Sequence, residues 1–585
     1  MVRIFRNEAP NKMNVSFSSK DSFWAIKNVV NSFASQYDSD NKINIVNIDN
    51  IDQMIEKLLE LKSELVQVDL DVYALARTFL DKKNNLLELR NTLAGIDCGV
   101  KLIDGYELLP FQHVGVEFLC QVQRGMVADK VGLGKTLQGF CAAYKMIKVH
   151  KKAEKCFILV SSTIRKKWQN DIKKFLGIYA PILNGSPAKR IQDFNDFLSG
   201  DDIFLIISDD TFKRDFEQYI ENTINMNFGI ICDEIQRARN ALTLRSKALR
   251  KLSNNKFCQF RFGLSATYIE TGLQDLFGVM MIIDDSIFGH SYYHFSNRYL
   301  KLDYMGKVVD YNNVDEARDK MRYVAVRRSK EMVKDQLKAR LPTVNMNTLW
   351  VELTKEQKLV YNEVLKRVVE NIQIAAKAER ISMATVLSEI MYLRQVCVSP
   401  QLIGHASKSS IKMDTLVEIL PDIIDENKVV VFSHFVGFVD LLEEQLGKMK
   451  IPCLAMHGQR EEGKANTRQE YIDKFQQSKE LKVLITSDIL KEGVDIPAAS
   501  YVINVDILWN PAAMIQRAGR IDRLNQEAEN IYVYNIWSEN TIEQSMFDVI
   551  YEREELATKI IDEGKIEYRV KKLSFKDIRK MLPGL

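Results

Sequence analysis

Two separate runs of short, almost uninterrupted apolar segments, each alternating with helical stretches, limit what this chain folds into. The first run occupies residues 126–128, 156–160, 203–207, 228–232 and 260–264; the second occupies 429–432, 483–486, 501–505 and 531–535. A strand that is apolar on both faces must be covered on both faces. Such segments separated by helices form parallel sheets between helix layers. Two sets in one chain predict two α/β lobes, with a charged, mainly helical stretch between them.

Between the first strand and the next helix stands Asp129-Lys130-Val131-Gly132-Leu133-Gly134-Lys135-Thr136. Strand, glycine-bearing loop and helix are the context of a phosphate cradle. Gly132 and Gly134 let backbone N–H groups approach phosphate oxygens, Lys135 reaches the β- and γ-phosphates, and the Thr136 hydroxyl is suited to hold Mg²⁺. Asp129 stands where the usual pattern has its first glycine. Downstream, an apolar strand ends in Asp233-Glu234, one carboxylate suited to Mg²⁺ and the next to activating a water molecule. Ser265 and Thr267 follow a third strand. Arg517 and Arg520 lie three apart on one helix, with Arg523 beyond, and supply cations for charge developing on a γ-phosphate. Taken singly, each of these also fits a cap, a turn or a surface salt bridge.

In this order the segments resemble the superfamily two helicases, and in detail the Swi/Snf-like branch, from about Tyr106 to Asp548. Leu108-Leu109-Pro110-Phe111-Gln112 with Gly115 resembles the adenine-recognition segment. Residues 128–138 resemble the first motif, and 160–168 with Asp171 resemble motif Ia. Asp233-Glu234-Ile235-Gln236 stands where the family has Asp-Glu-Ala-His. Arg327-Arg328-Ser329-Lys330, with Val333 and Leu341-Pro342, resembles the segment joining the lobes. Leu393-Arg394-Gln395 resembles the helical protrusion, and Val431 to Phe435 resembles motif IV. Thr486-Ser487-Asp488 with Gly493-Val494-Asp495 resembles motif V, while Trp509-Asn510-Pro511 leads into motif VI. Gln236 for His, Ser265-Ala266-Thr267 and Arg517-Ala518-Gly519-Arg520 depart from the branch's usual wording and mark a divergent, compact member.

The resemblance implies two RecA-like parallel-sheet lobes with helical insertions and a mainly helical N-terminal region. It implies an ATP- and Mg²⁺-dependent, DNA-stimulated ATPase that translocates on double-stranded DNA. The implied catalytic residues are Lys135, Asp233, Glu234, Arg520 and Arg523, with Thr136 and Asp233 at the metal. Nucleotide contacts fall to Gln112, Asp129, Val131, Gly132, Leu133, Gly134, Lys135, Thr136, Gly493 and Asp495. Coupling falls to Gln236, whose amide is expected to donate toward Ser265, and to Ser265, Thr267 and Gln516. Track contacts fall to Thr163, Trp168, Ser208, Ser433, His457, Thr486 and Trp509. The expected units are a helical accessory region at 1–100, where 51–61 and 72–93 carry helical spacing, and a first lobe at 101–345 with a helical insertion at about 286–345. A protrusion at 346–410, a second lobe at 411–550 and a helical tail at 551–585 follow.

Composition narrows the partners. With 81 basic and 78 acidic residues, the formal net charge is +3, so a nucleic-acid surface must be a local stripe. That suits a motor releasing its track at every step. No apolar stretch of about 18 residues occurs, the first residues do not read as a signal peptide, and no membrane partner is expected. The eight cysteines form no C-x-x-C pair, so no zinc is expected and the thiols read as reduced. A cytoplasmic protein, bacterial or virus-encoded, fits this, with a nuclear one left open. Two alternatives stand beside the duplex-DNA motor. One is an RNA or strand-separating helicase. The other is an ATP-gated adaptor whose residues 1–100 bind a protein partner such as a polymerase or nuclease.

Overall fold

The structure, a computed structural model, describes residues 2–6, 12–17, 34–38, 43–47, 66–68, 70–266, 268–269, 272–303, 308–337, 342–377, 383–458, 467–488, 495–509, 511–522, 526–548 and 582. At the N-terminus, strands β1 (Val2–Arg6), β2 (Lys12–Phe17), β3 (Ala34–Asp38), β4 (Ile43–Asn47) and β5 (Val66–Val68) form one sheet in the order β3-β4-β2-β1-β5. Helix α1 (Leu70–Asn91) follows. The expectation of a mainly helical N-terminal region is thereby corrected. Ile4 pairs with Val15 and Arg6 with Met13, and the buried Ile4, Met13 and Val15 follow the period of two that strands require. The helical spacing at 72–93 is realised in α1, whereas 51–61 lies outside the described residues.

The first lobe is built on β6 (Arg124–Val127), β7 (Lys155–Val160), β8 (Phe204–Ser208), β9 (Phe228–Asp233) and β10 (Cys258–Leu264). After a short antiparallel hairpin, β11 (Leu300–Leu302) and β12 (Val308–Tyr311), strand β13 (Ala325–Val326) returns to the sheet. The six strands run parallel in the order β13-β6-β10-β9-β7-β8. Both faces are buried: Phe157 and Leu159 pack into one core, Cys156, Ile158 and Val160 into the other. The insertion expected to be helical holds the helices Tyr292–Tyr299 and Val314–Arg322, but also the hairpin and β13.

The second lobe repeats the plan with β14 (Thr343–Val351), β15 (Val429–Phe432), β16 (Cys453–Met456), β17 (Val483–Thr486), β18 (Tyr501–Asn504) and β19 (Asn530–Ser538). They run parallel in the order β14-β19-β18-β15-β17-β16. The boundary expected at 345/346 falls inside β14, an edge strand whose mixed Thr-Val-Asn-Met-Asn sequence hides it from an apolar pattern. Two long helices, α2 (Lys355–Lys377) and α3 (Met383–Val398), then form the protrusion. The tail at 551–585 lies outside the described residues except for buried Leu582. No helix among the described residues is long and apolar enough to cross a membrane.

Register fixes where chemistry can sit. Val127 of β6, Leu264 of β10 and Asp233 of β9 stand level across three adjacent strands. The phosphate loop, Ser265 and the acidic pair therefore leave the sheet at one carboxyl edge, where ligands bind in open parallel sheets. In the second lobe Phe432, Thr486 and Asn504 are likewise level.

One fully buried ion pair braces the second lobe. Lys412 Nζ donates to Glu543 Oε1 at 2.8 Å, to Glu543 Oε2 at 2.6 Å and to the Val505 carbonyl at 2.6 Å. Removing one partner leaves a buried, uncompensated charge. Lys412→Met is expected to destabilise the lobe by about 3–5 kcal/mol, read as a lower urea midpoint in fluorescence from Trp350, Trp509 and Trp537. Lys412→Met combined with Glu543→Leu is expected to recover most of that loss.

Candidate active site

The phosphate loop is held from behind by an ion pair. Asp129 Oδ1 accepts from the Arg328 backbone N–H at 3.0 Å and from its Nε at 2.9 Å, and Oδ2 accepts from Nη2 at 2.7 Å. Both side chains are fully buried. Gln138 joins them, donating from Nε2 to Asp129 Oδ2 at 3.1 Å and accepting from Arg328 Nη2 at 2.7 Å. Arg328 also donates to the Phe111 carbonyl and stacks over the Phe111 ring. A methyl group on Gly115 would overlap Gln138 and approach Arg328 Nη2 to 2.7 Å, so the helix Pro110–Val122 must carry glycine there. The Asp129 carboxylate thus positions the loop and is not presented to a nucleotide, correcting its expected role.

The loop itself has the predicted shape. Gly132 and Gly134 adopt φ +90° and +75°, backbone that other residues rarely take. A Cβ on Gly134 would also stand 2.5 Å from Gln112 Nε2. Lys135 opens the helix Lys135–Lys148 and folds back, donating to the Asp129 carbonyl at 2.9 Å and to the Lys130 carbonyl at 3.4 Å. Val131 and Thr136 are half-buried and Leu133 is fully buried against Phe111, Val333 and Leu337. Gln112 is buried, accepting from the Leu109 N–H at 2.9 Å and donating to the Leu133 carbonyl at 3.2 Å. Reading adenine with that amide means exchanging the Leu133 bond.

At the end of β9, Asp233 Oδ2 accepts from the indole N–H of Trp168 at 2.9 Å, and Oδ1 accepts from the Glu234 N–H at 3.0 Å. Burial first, then the Glu234 charge, push the Asp233 carboxyl up to about 6; the Trp168 bond and Lys135 oppose them. Glu234 sits at φ +49°, a conformation costly for a residue with a side chain. Gln236 donates from Nε2 to Glu234 Oε2 at 2.6 Å. The expected donation toward Ser265 is therefore corrected: the amide holds the general-base candidate, and the buried Gln236 Oε1 has no hydrogen-bond partner among the described residues. Ser265 is buried and donates its N–H to the Val127 carbonyl at 3.2 Å. Thr267 lies outside the described residues.

From the second lobe, Asp495 accepts from Lys167 Nζ of the first lobe at 2.6 Å. Arg517 is fully buried and donates to Asp488 Oδ1 at 2.7 Å and to Asn504 Oδ1 at 3.3 Å. Arg520 is buried, its Nε donating at 3.0 Å to the carbonyl of half-buried Gln516. Gly493 and Arg523 lie outside the described residues.

The expected track contacts divide sharply. Thr163 is exposed, its hydroxyl 2.8 Å from Ser161 Oγ. Trp168 is buried on Phe140 and serves Asp233. Ser208 caps the helix Asp209–Asp215, Ser433 donates to Asp506 Oδ2 at 2.8 Å, and His457 pairs with Asp440 at 3.0 Å. Thr486 is buried and donates to the Ser487 carbonyl at 3.1 Å, and Trp509 packs on the protrusion core. Side-chain contact with a track through Trp168, Ser208, Ser433, His457 and Thr486 is thereby corrected: strand-end alternation turns Ser208, Ser433, His457 and Thr486 inward, and Trp168 lies on the buried face of the helix Arg165–Leu176. Beside them, exposed Ser162, Lys166 and His434 face outward. Sequence spacing marked those loops but not which neighbour points out. Arg328, Lys167 and Lys330 were also missed as site-building residues. The available signal was their place inside motif-like segments, Arg328 and Lys330 in the lobe-joining one and Lys167 within residues 160–168.

Oxygen donors at Thr136 and Asp233, beside a glycine-shaped loop, form the hard-ligand chemistry that suits Mg²⁺ with a triphosphate. If Asp233 must be ionised to work, kcat/KM for ATP is expected to fall as pH drops through about 6. Trp168→Phe removes a bond that favours the charged form, so its acid limb moves to higher pH; a pH–rate profile of both proteins checks this.

The SNF2-related domain family matches residues 83–402, and the helicase conserved C-terminal domain matches 411–525. Over 467 residues the chain is 26% identical to an uncharacterized ATP-dependent helicase of Mycoplasma pneumoniae, covering 77% of this chain and 42% of that protein. It is 24% identical over 467 residues to the putative ATP-dependent helicase/translocase YwqA of Bacillus subtilis, covering 78% of this chain and 49% of that one. It is 26% identical over 518 residues to the DNA repair protein rhp54 of Schizosaccharomyces pombe, covering 78% of this chain and 59% of that one. The chain therefore spans less than two thirds of the length of each of these three relatives. Among solved structures, the Sulfolobus solfataricus SWI2/SNF2 ATPase core in complex with dsDNA aligns at 22% identity and TM-score 0.36, covering 84% of this chain and 99% of that one.

Proposed function

Since the chain belongs to the SNF2-related family of helicase-type proteins, matched over residues 83–402, we propose that it hydrolyses ATP to move along double-stranded DNA. The observation that carries this is the level placement of the phosphate loop and the Asp233–Glu234 pair at one sheet edge, with Gln236 aiming the Glu234 carboxylate.

The triphosphate binds against the N–H groups of the loop at Gly132 and Gly134. Lys135 exchanges its carbonyl partners for phosphate oxygens. Thr136 and Asp233 would hold Mg²⁺, which would supply charge neutralisation for the transferred phosphoryl group. Glu234 accepts the proton of the attacking water as the water oxygen bonds to the γ-phosphorus and the bond to the ADP oxygen breaks. Arg520 and Arg523 approach from the second lobe, so turnover depends on closure. Gln112 and Asp495 complete the nucleotide site, and Ser265, Thr267 and Gln516 link it to the track.

Duplex DNA as the track is supported by relatives named as a DNA repair protein and as a helicase/translocase. It is also supported by the exposed Ser162, Thr163, Lys166 and His434 at the lobe edges, suited to phosphates rather than base edges. The sheet β1–β5 is proposed as an accessory element that recruits a protein partner.

Glu234→Gln is expected to lower kcat by roughly 10²–10⁴-fold while nucleotide affinity stays within a few-fold, measured with a fluorescent ATP analogue. Wild-type turnover is expected to rise most with duplex DNA, less with single strands or RNA. The stimulation should weaken as salt increases. Preference for RNA would overturn the choice of track.

A further inference from the structure

We propose that Lys330 is a positioning residue, whose ion pair with Asp522 lets the second lobe's arginine segment close over a bound triphosphate. This rests on the hydrolytic reading above and extends it to a residue outside the nucleotide motifs.

Lys330 stands on a segment that cannot move independently of the phosphate loop. Ala325 and Val326 pair with Met126 and Val127 of β6, and the Arg328 carbonyl accepts from the Lys130 N–H at 3.0 Å. Arg328 grips Asp129, Val333 and Leu337 enclose Leu133, and Gln336 accepts from the Phe111 N–H at 2.8 Å. From this base the Lys330 ammonium reaches across to the second lobe. It bonds the Asp522 carboxylate and lies 3.4 Å from the Asp522 carbonyl.

The crossing occurs at the loop itself. A methyl group built on Gly132 would meet the Asp522 carbonyl oxygen at 3.1 Å, Lys330 Cε at 3.4 Å and Lys330 Nζ at 3.5 Å. The pair is largely shielded, at 15% and 20% side-chain exposure. Lys167–Asp495, a second bridge between the lobes among the described residues, is more open at 30% and 32%. A shielded pair feels less solvent screening than an open one.

Electrostatics gives the pair its purpose. Asp522 lies two residues beyond Arg520, and the Arg520 carbonyl accepts from the Ile496 N–H at 2.8 Å, so the segment moves with its lobe. Closing that lobe brings a carboxylate and the negative end of a carbonyl dipole up to a cradle that receives a triphosphate. Without a cation between them the segment is repelled just when its arginines are needed. Lys330, fixed to the loop, is that cation.

The test compares Lys330→Met, Asp522→Asn and the double variant in the full chain, reading duplex-DNA-stimulated kcat, KM and equilibrium ATP affinity. Lys330→Met is expected to lower kcat roughly 10- to 100-fold, with ATP affinity within about threefold. Asp522→Asn added to Lys330→Met is expected to restore kcat at least about tenfold, because the unpaired carboxylate is gone. Thermal midpoints matching wild type confirm that folding is intact. If a folding defect accompanies Lys330→Met, Lys330→Arg, which keeps the charge, must retain most of the kcat for the proposal to hold. Loss of ATP affinity equal to the loss of kcat/KM, with no rescue by Asp522→Asn, would make Lys330 a direct phosphate ligand and overturn the proposal. Unchanged kcat in Lys330→Met overturns it as well. A wild-type protein without Glu234-dependent ATP turnover refutes the hydrolytic reading instead, which keeps the two failures apart.

Discussion

The buried pair between Asp129 and Arg328 is the interaction on which the nucleotide site depends. It explains the departure at the first position of the phosphate loop, where an aspartate replaces the usual glycine. That position is a strut, and the guanidinium it meets comes from 199 residues further along the chain. Three separate segments converge on it: the helix bearing Gln112, the helix bearing Gln138, and the strand that leads toward the second lobe. A buried ion pair adds little net stability over an apolar substitute, since desolvation offsets attraction. What it secures here is relative placement, because every polar atom of the cluster points at a partner that only the folded arrangement supplies.

The second lobe holds its carboxyl edge by the same means. Arg517 bonds Asp488 and Asn504 and stacks on Phe432, while His434 bonds Asp488 from the solvent side at 2.7 Å. Burial works against the ionised Asp488, but the His434 and Arg517 bonds outweigh it and hold its carboxyl far below the usual range. Of the two arginines spaced three apart, the first is therefore committed to its own lobe. Spacing on one helix face showed that both were present; both are buried, and their partners differ, Arg517 bonding Asp488 and Asn504 while Arg520 Nε bonds the Gln516 carbonyl. Each lobe thus carries an arginine–acid knot at its edge, which suits the proposed motor, whose work would be done by changing the angle between two rigid bodies.

Much of this was legible in the chain. Doubly covered strands betray themselves as apolar runs, so β7, β9, β15 and β17 fall within a residue or so of their predicted spans. Strands that escaped have physical reasons. β13 is only two residues long, and β14 at a sheet edge meets one neighbour and tolerates Asn345 and Asn347. The N-terminal sheet alternates apolar and polar residues over too few positions to stand out against the strong helical spacing of α1. Residue types at the site were equally readable, because phosphate and metal chemistry restrict them. Direction was not. A strand end offers two faces, and moving by one residue exchanges them. Ser433 turns inward to Asp506 while His434 turns outward, and Gln236 bends back to Glu234 rather than across to Ser265.

That inward turn of the hydroxyls bears on how a nearly neutral chain can hold a polyanion. Ser208, Ser433 and Thr486 are committed to the protein, and one of the nearby cations, Lys167, is already bonded to Asp495. On the proposed reading, backbone N–H groups at strand and helix ends share the phosphate contacts with exposed Ser162, Thr163, Lys166 and His434. The N–H groups add no net charge, so they lessen, without removing, the counterion release and salt dependence that a dense lysine stripe produces. They also move as part of the rigid lobe, so each contact is made or broken by lobe rotation rather than by side-chain rearrangement. A formal charge of +3 over 585 residues is then no obstacle to tracking a duplex. It suits the proposed motor, which would grip weakly with one lobe while the other advances.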